Sequence, residues 1–128
     1  MKKTIYLIML FLSFAQLHAQ QKNKAELLPP AKFEVKMKAA KGQIIDVRTP
    51  KEFQAGHIAD AVNMHIYDKD FSQRLDKLDK KKPVYVYCKV GGRSAEAVET
   101  MKGKGFTTII ELDGGIDAWT AAGKPVKK

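Results

Sequence analysis

The sequence predicts a single α/β domain in which a small parallel β-sheet is flanked by helices on both faces. Two observations lead to this prediction. Short apolar segments rich in β-branched residues alternate with helical segments, and only a few residues join one segment to the next. Strands of a parallel sheet have this apolar character because helices bury both of their faces. A chain of 128 residues, 45% of them hydrophobic, can bury one such core without a disulfide or a metal ion.

The N-terminal residues are predicted to lie outside this core. Lys2 and Lys3 precede a nearly unbroken apolar run over residues 5–14, and small and polar residues follow as far as Ala19. This order is typical of a secretory signal peptide over residues 1–19. The alternative is a membrane anchor, but a spanning helix needs roughly 20 apolar residues. We therefore expect export, most simply into a bacterial periplasm, and no contact with the membrane after cleavage.

The domain is predicted to begin after a short polar segment. Residues 20–27 lack periodicity and predict a flexible leader, so the domain is assigned to residues 28–126. Apolar residues at helical spacing indicate a helix over about 31–41, and the β-branched residues 43–47 indicate a buried strand. The segment Thr49-Pro50-Lys51-Glu52 has the pattern of a capping box with proline at the first helical position, which predicts the start of a brief second helix.

The remainder of the chain continues the alternation of strands and helices. Short apolar runs predict strands over residues 61–64, 83–87 and 107–112. Apolar residues at helical spacing predict helices over about 71–78, 94–102 and 116–123. The order of these segments is that of a parallel sheet with crossover helices.

Cys88 is the only cysteine of the chain, so it cannot form an intramolecular disulfide. An unpaired thiol in an exported protein indicates either reactivity or pairing with another molecule. The other interpretation is an inert cysteine that fills a gap in the core. The residues around Cys88 favour reactivity.

Cys88 ends the clearest predicted strand, and the residues that follow it form a loop before a helix. Ligands of open parallel sheets bind at the carboxyl ends of the strands. The glycines of the loop allow positive φ and inward-facing N–H groups, and the helix adds the positive end of its dipole. We expect the pKa of the thiol to lie below its reference of about 8.5 and the loop to hold a thiolate or a persulfide. The predicted cradle consists of Lys89, Val90, Gly91, Gly92 and Arg93.

The chain resembles the rhodanese-like sulfurtransferases, and the resemblance covers nearly all of residues 28–126. The segments that carry it are Asp46-Val47-Arg48-Thr49-Pro50 with Glu52-Phe53, Gly56-His57-Ile58, Tyr87-Cys88 with Gly91 and Arg93-Ser94, and Gly114-Gly115-Ile116 with Trp119. The resemblance implies a rhodanese-like fold and a catalytic Cys88 that accepts sulfur as a persulfide. It also implies an anionic sulfur donor such as thiosulfate and a thiophilic acceptor, which is a thiol, cyanide or a protein cysteine. The predicted export signal and the single-domain size of the chain resemble those of the small periplasmic thiosulfate sulfurtransferases of this family.

The other signature residues are interpreted as structural. Ion pairs and backbone hydrogen bonds of Asp46, Arg48 and Glu52 are expected to tie the first strand to the capped helix, and His57 is expected to pack or hydrogen-bond near a helix end. Gly114 and Gly115 are expected to form a turn, and Trp119 is expected in the core. Asp60 stands where the family usually has glycine, and aspartate tolerates the left-handed backbone of that turn.

Two other functions are compatible with parts of the sequence. Dual-specificity phosphatases share this architecture, but their loop between cysteine and arginine is one residue longer and fits a phosphate group. A catalytically silent interaction module is the second alternative, although Cys88 and Arg93 are both present. Loss of residues 1–19 lowers the net charge from +9 to +7, which suits a small anionic substrate. No basic stripe for nucleic acid, no metal-ligand spacing and no cofactor motif is found, so we expect none of these partners.

Overall fold

The computed structural model describes residues 23–128, which form a parallel β-sheet between two layers of helices. The strands are β1 (Lys24–Leu28), β2 (Gln43–Asp46), β3 (Val62–Asn63), β4 (Val84–Tyr87) and β5 (Thr108–Leu112). The helices are α1 (Pro30–Ala39), α2 (Pro50–Ala55), α3 (Phe71–Asp76), α4 (Gly92–Gly103) and α5 (Gly115–Ala121). Within these residues the strand order is β1-β5-β4-β2-β3, and every pairing is parallel. The predicted fold class is confirmed.

Alternate side chains of β4 point into two separate cores. Val84 and Val86 face a core built with α3 and α4, whereas Tyr85 and Tyr87 face a core built with α1 and α5. Because side chains of a strand alternate between the two faces of the sheet, a strand buried on both faces needs four apolar residues in a row. Helices therefore cover both faces of the sheet, and β4 lies between β2 and β5, where its carboxyl end is enclosed on both sides.

The prediction of a flexible leader is wrong for the part of residues 20–27 that the structure describes. Residues 24–28 are the strand β1, which pairs with β5 along its whole length, and the Lys24 N–H donates to the Thr107 carbonyl at 2.9 Å. Most side chains of β1 are exposed, so its sequence does not alternate between apolar and polar residues. Backbone hydrogen bonds to β5, rather than burial of side chains, hold this strand in the sheet. The predicted signal peptide over residues 1–19 lies outside the described residues.

Two local predictions in the turns and caps are confirmed. Thr49 Oγ1 accepts from the Glu52 N–H at 3.2 Å, and the Glu52 carboxylate accepts from the Thr49 N–H at 3.3 Å, which is the reciprocal pattern of a capping box. Asp60 has φ 68, the left-handed conformation expected where an aspartate replaces glycine. Between residues 23 and 128, no helix has the length and apolar character needed to cross a membrane.

Candidate active site

The Cys88 sulfur lies at the carboxyl end of β4, beneath the first turn of α4. Cys88 is 1% exposed. The Gly91 N–H donates to Cys88 Sγ at 3.0 Å, and the Ser94 hydroxyl oxygen lies 3.4 Å from the sulfur. The sulfur is thus surrounded by polar hydrogens of the loop and the helix N-terminus on one side and by the apolar core on the other.

These contacts favour the anionic form of the sulfur. Burial alone raises the pKa of the Cys88 thiol. The Ser94 hydroxyl, when it is oriented to donate to the sulfur, and the Ser94, Gly91 and Val90 amides lower this pKa by hydrogen bonding. Together they outweigh burial, so the pKa falls below its ordinary value. A group that stabilises a thiolate in this way also stabilises any anion whose charge lies on or next to the sulfur.

Gly91 and Gly92 differ in conformation, and of the two only Gly91 takes the positive φ that glycine allows. Gly91 has φ 121 and precedes the helix, whereas Gly92 is already the first residue of α4. Gly92 therefore does not use the conformational freedom that its type allows. The reason is that α4 begins two residues earlier than the apolar spacing indicated, so a single glycine makes the turn that directs the Gly91 amide at the sulfur.

The amino end of α5 holds the opposite side of the loop backbone. The Ile116 N–H donates to the Cys88 carbonyl at 2.9 Å, and the Asp117 N–H donates to the Lys89 carbonyl at 3.1 Å. Gly115, with φ 62, lies so close to both carbonyls that a Cβ atom at this position would overlap them. Since these carbonyls point towards α5, the amides that follow them in the loop are free to point towards the sulfur.

Arg93 is bound by a carboxylate of a distant segment. Its guanidinium group donates to Glu52 Oε1 at 2.7 Å and to Glu52 Oε2 at 2.9 Å, a bidentate pair that joins α4 to the start of α2. The hydrogen bond from Arg93 lowers the pKa of Glu52 to about 2. Arg93 therefore keeps its position beside the loop, but much of its charge is already matched by Glu52.

Lys89 and Val90 form the outer rim of the loop. Lys89 Nζ lies 2.6 Å from Asp117 Oδ2, and both side chains are about half exposed. Val90 is exposed, and no buried cluster includes it. The loop thus presents an apolar side chain and a paired ammonium group to solvent.

The remaining signature residues connect the strands to α2 and the C-terminal segment. Arg48 Nη2 lies 2.7 Å from Asp46 Oδ2 and donates to the Gly56 carbonyl at 2.7 Å, and both members of the pair are buried. His57 stacks on Phe53 with ring centroids 3.8 Å apart, and its Nδ1 lies 3.0 Å from the Phe53 carbonyl oxygen. These contacts stabilise the segment after β2 and do not involve the sulfur.

Two other signature residues lie in the second core. Trp119 is buried there as predicted, and its indole N–H donates to the Pro125 carbonyl at 2.9 Å. The Tyr87 hydroxyl accepts from the Ile58 N–H at 3.0 Å, and burial raises the pKa of Tyr87 far above its ordinary value. Gly114 takes the left-handed conformation just before α5, as expected for the turn.

Two residues that contribute to the site were not assigned to it from the sequence. Ser94 belongs to the segment Arg93-Ser94 that carries the family resemblance, but the predicted cradle did not include it; Ser94 is fully buried, and its hydroxyl oxygen lies 3.4 Å from the Cys88 sulfur. Glu111 lies on β5, and its Oε2 is 2.7 Å from the Ser94 Oγ. A carboxylate between apolar residues of a buried strand is a signal that could have identified Glu111. Across residues 23–128, histidine, cysteine and carboxylate side chains form no cluster of three or more that could bind a metal ion.

Comparison with known proteins agrees with this geometry. Residues 29–122 match the rhodanese-like domain family. The chain is 34% identical over 85 residues to a sulfurtransferase of Allochromatium vinosum, covering 65% of this chain and 76% of the relative. It is 35% identical over 78 residues to thiosulfate sulfurtransferase GlpE of Pseudomonas savastanoi pv. phaseolicola, covering 61% and 72%.

Other similarities carry less functional information. An uncharacterized protein of Bacillus subtilis, YqhL, is 42% identical over 79 residues, and the match spans 62% of this chain and 61% of that protein. The crystal structure of a rhodanese-related protein from Thermoplasma volcanium superposes with a TM-score of 0.71 at 32% identity, covering 80% of this chain and 97% of the other. A rhodanese-like domain protein from Staphylococcus aureus gives a TM-score of 0.67 at 28% identity, covering 80% and 99%.

Proposed function

Because this chain belongs to the rhodanese-like family, we propose that it is a sulfurtransferase that carries a sulfane sulfur atom as a persulfide on Cys88. The observation that carries the proposal is the set of hydrogen-bond donors around the sulfur, above all the Gly91 amide at 3.0 Å. Relatives named as sulfurtransferases support sulfur transfer as the general activity. Thiosulfate as donor is the more specific part of the proposal.

In the proposed first half-reaction, the Cys88 thiolate attacks the outer sulfur of thiosulfate. A bond forms between Sγ and that sulfur, and the sulfur–sulfur bond of thiosulfate breaks with its electron pair going to sulfite. The total charge is unchanged, because one thiolate and one thiosulfate dianion give one persulfide anion and one sulfite dianion. The lowered pKa of Cys88 increases the fraction of thiolate at a given pH, and the loop amides stabilise the persulfide.

In the proposed second half-reaction, a thiophilic acceptor attacks the terminal sulfur of the persulfide. With cyanide as acceptor, the new bond joins carbon to sulfur, the persulfide bond breaks, and its electron pair returns to Cys88 as thiolate. Thiocyanate leaves, and the enzyme regains its first state. A thiol or a protein cysteine in place of cyanide follows the same bond changes with its own sulfur as nucleophile. Such a two-step cycle gives ping-pong kinetics.

The length of the loop favours a sulfur atom over a phosphate group. Only four residues separate Cys88 from Arg93, and Glu52 already binds the Arg93 guanidinium with both oxygens. A phosphatase of this architecture has five residues in this place, which give a ring of amides wide enough for a tetrahedral phosphate. Hydrolysis of an aryl phosphate at a rate comparable to sulfur transfer would contradict the proposal.

The decisive experiment is mass spectrometry of the intact protein after treatment with thiosulfate. We expect the mass to rise by one sulfur atom and to return to its starting value after addition of cyanide. Cys88→Ser is the matched control, since it removes the only thiol while changing one atom, and it should neither gain sulfur nor form thiocyanate. An unmodified Cys88 under these conditions would favour a catalytically silent interaction module instead.

Residues 1–19 have the pattern of a secretory signal peptide, and this pattern alone supports export. We propose that the protein acts in the periplasm, where a small anionic donor and a thiol or protein-cysteine acceptor meet it. Amino-terminal sequencing of the protein from its native cells should begin at or near Gln20. A mature protein that still begins at Met1 and remains in the cytoplasmic fraction would overturn this part of the proposal.

A further inference from the structure

Glu111 occupies an unusual position in the sheet. It follows Ile110 on β5 and pairs in register with Val86 of β4. Because side chains alternate along a strand, Glu111 projects from the same face as Ile109, which lies in the core that contains Cys88. A half-buried carboxylate on this face requires a hydrogen-bond partner, and the Ser94 hydroxyl group, 2.7 Å from Glu111 Oε2, provides one.

Ser94 has one hydroxyl hydrogen and three acceptors around it. Its oxygen lies 2.7 Å from Glu111 Oε2, 3.1 Å from the Gly91 carbonyl oxygen and 3.4 Å from Cys88 Sγ. A serine hydroxyl donates one hydrogen bond at a time. The charged carboxylate is the closest and strongest of the three acceptors, so the hydrogen that points to Glu111 is not available to the sulfur.

We propose that Glu111 is a positioning residue that controls, through the Ser94 hydroxyl group, how strongly the Cys88 sulfur is stabilised as an anion. When Glu111 is charged, Ser94 donates to it, and the Ser94 oxygen can accept only from a Cys88 thiol. When Glu111 is neutral, its carboxyl hydrogen can be donated to the Ser94 oxygen, and the Ser94 hydrogen is donated to the Cys88 thiolate. The two states differ by one proton moved from Sγ to Ser94 and one from Ser94 to Glu111, so the total charge is the same.

The charges around Glu111 are compatible with this exchange. Burial raises the pKa of the Glu111 carboxyl group, and the hydrogen bond from Ser94 lowers it. The negative charge of Asp113 raises this pKa further and the positive charge of Lys102 lowers it, with a net value above that of an ordinary glutamate. On the sulfur side, Arg93 is the cationic residue that interacts with Cys88. A carboxylate that takes up a proton more readily than usual is suited to exchange one with a buried thiol.

The inference rests on the proposed function in one respect, namely that the anionic sulfur of Cys88 is the reactive group. Its test does not require sulfur transfer. Because Cys88 is the only cysteine, the rate of alkylation by iodoacetamide as a function of pH gives the pKa of this thiol alone. If Glu111 does not influence the Cys88 thiol, the alkylation rates show it. If the protein does not transfer sulfur, mass spectrometry after thiosulfate treatment shows it.

The experiment compares Glu111→Gln, Ser94→Ala and the double variant with the parent protein. Glu111→Gln removes the charge with little change of shape, and the new amide N–H group can donate to the Ser94 oxygen, so that the Ser94 hydrogen is donated to the sulfur. The acid dissociation constant of the thiol should then rise about tenfold. In the Ser94→Ala background the same substitution should change this constant less than about twofold, since the connecting hydroxyl group is gone. Asp113→Asn is the charge control, because Asp113 is exposed and lies two residues away on the same segment.

Either of two outcomes would overturn the inference. An unchanged or lower acid dissociation constant in Glu111→Gln would show that the carboxylate does not withhold the hydrogen. An equal change in the presence and absence of the Ser94 hydroxyl group would show that the charge acts directly through space. Should Glu111→Gln not fold, Glu111→Leu suits the apolar face and carries the same expectation, with circular dichroism as the check of folding.

Discussion

The two glycine pairs of this domain differ in how closely other atoms pack against them. Gly91-Gly92 lies on the sulfur side of the loop, and a Cβ atom on either residue would meet no atom within 4 Å. Gly114-Gly115 lies behind the loop, and a Cβ atom on Gly115 would overlap the carbonyls of Cys88 and Lys89. The loop is therefore packed tightly at its back and open around its front. Close packing fixes the backbone, while the open side leaves space for a sulfur donor.

Gly115→Ala should have the largest effect, because it tests the packed side of this comparison. The new methyl group forces the loop away from α5, and the hydrogen bonds from Ile116 and Asp117 to the loop carbonyls are lost or lengthened. The unfolding free energy should fall by about 3–5 kcal/mol, because the variant combines overpacking, a left-handed backbone at φ 62 and the loss of hydrogen bonds. Urea unfolding measures the loss of stability, and persulfide formation should fall more than a hundredfold.

A control variant separates the loop from the helix in this experiment. Asp117→Asn keeps the backbone amide that holds the Lys89 carbonyl and removes only the exposed pair with Lys89. It should change stability by less than about 1 kcal/mol. If Gly115→Ala were as stable and as active as Asp117→Asn, close packing behind the loop would not be what fixes the amides.

Gly91→Ala is the second test and concerns conformation alone. The methyl group has open space around it, but φ 121 is a conformation that residues with a Cβ atom rarely adopt. We expect a loss of about 1–3 kcal/mol in unfolding free energy, or a local rearrangement that turns the Gly91 amide away from the sulfur. In the second case the pKa of the Cys88 thiol should rise, which the pH dependence of alkylation measures. Unchanged stability together with an unchanged thiol pKa would contradict this assignment.

The third test concerns the side chains that fix the same loop from α2. Glu52→Gln keeps the cap of α2, since glutamine also suits this position, but removes the ion pair with Arg93. The folded protein holds the pKa of Glu52 at about 2 instead of 4.5. This depressed pKa stabilises the fold fully above the unfolded value of 4.5 and progressively less as the pH falls towards 2.

Glu52→Gln should therefore be less stable than the parent protein at neutral pH, by about 1–2 kcal/mol, and the gap should close in acid. Urea unfolding at pH 7 and at about pH 3 measures both differences. A gap that stays constant over this range would mean that Glu52 contributes through packing and not through its charge.

The sequence predicted the parts of the site that depend on local pattern. Cys88 at the end of an apolar strand and the capping box at Thr49 each follow from residues within one short segment. The turn at Asp60 followed instead from the resemblance to the family, which usually has glycine there. The partners of Arg93 and Ser94 lie 41 and 17 residues away in sequence, so no local pattern specifies them. The strand β1 was missed for a related reason, since its definition lies in backbone pairing with β5 and not in its own side chains.

Gly92→Ala is expected to have the smallest effect, and an effect of opposite sign. Gly92 is the first residue of α4, its φ is not positive, and the space around it is open. Alanine loses less conformational freedom than glycine when a helix forms, so the variant should be more stable by about 0.4–1 kcal/mol, which thermal and urea unfolding can resolve. A methyl group on the open side does not disturb the Gly91 amide but takes space beside the sulfur, so bulky sulfur donors should lose more rate than thiosulfate. A loss of stability equal to that of Gly91→Ala would show that both glycines, and not Gly91 alone, make the turn beneath α4.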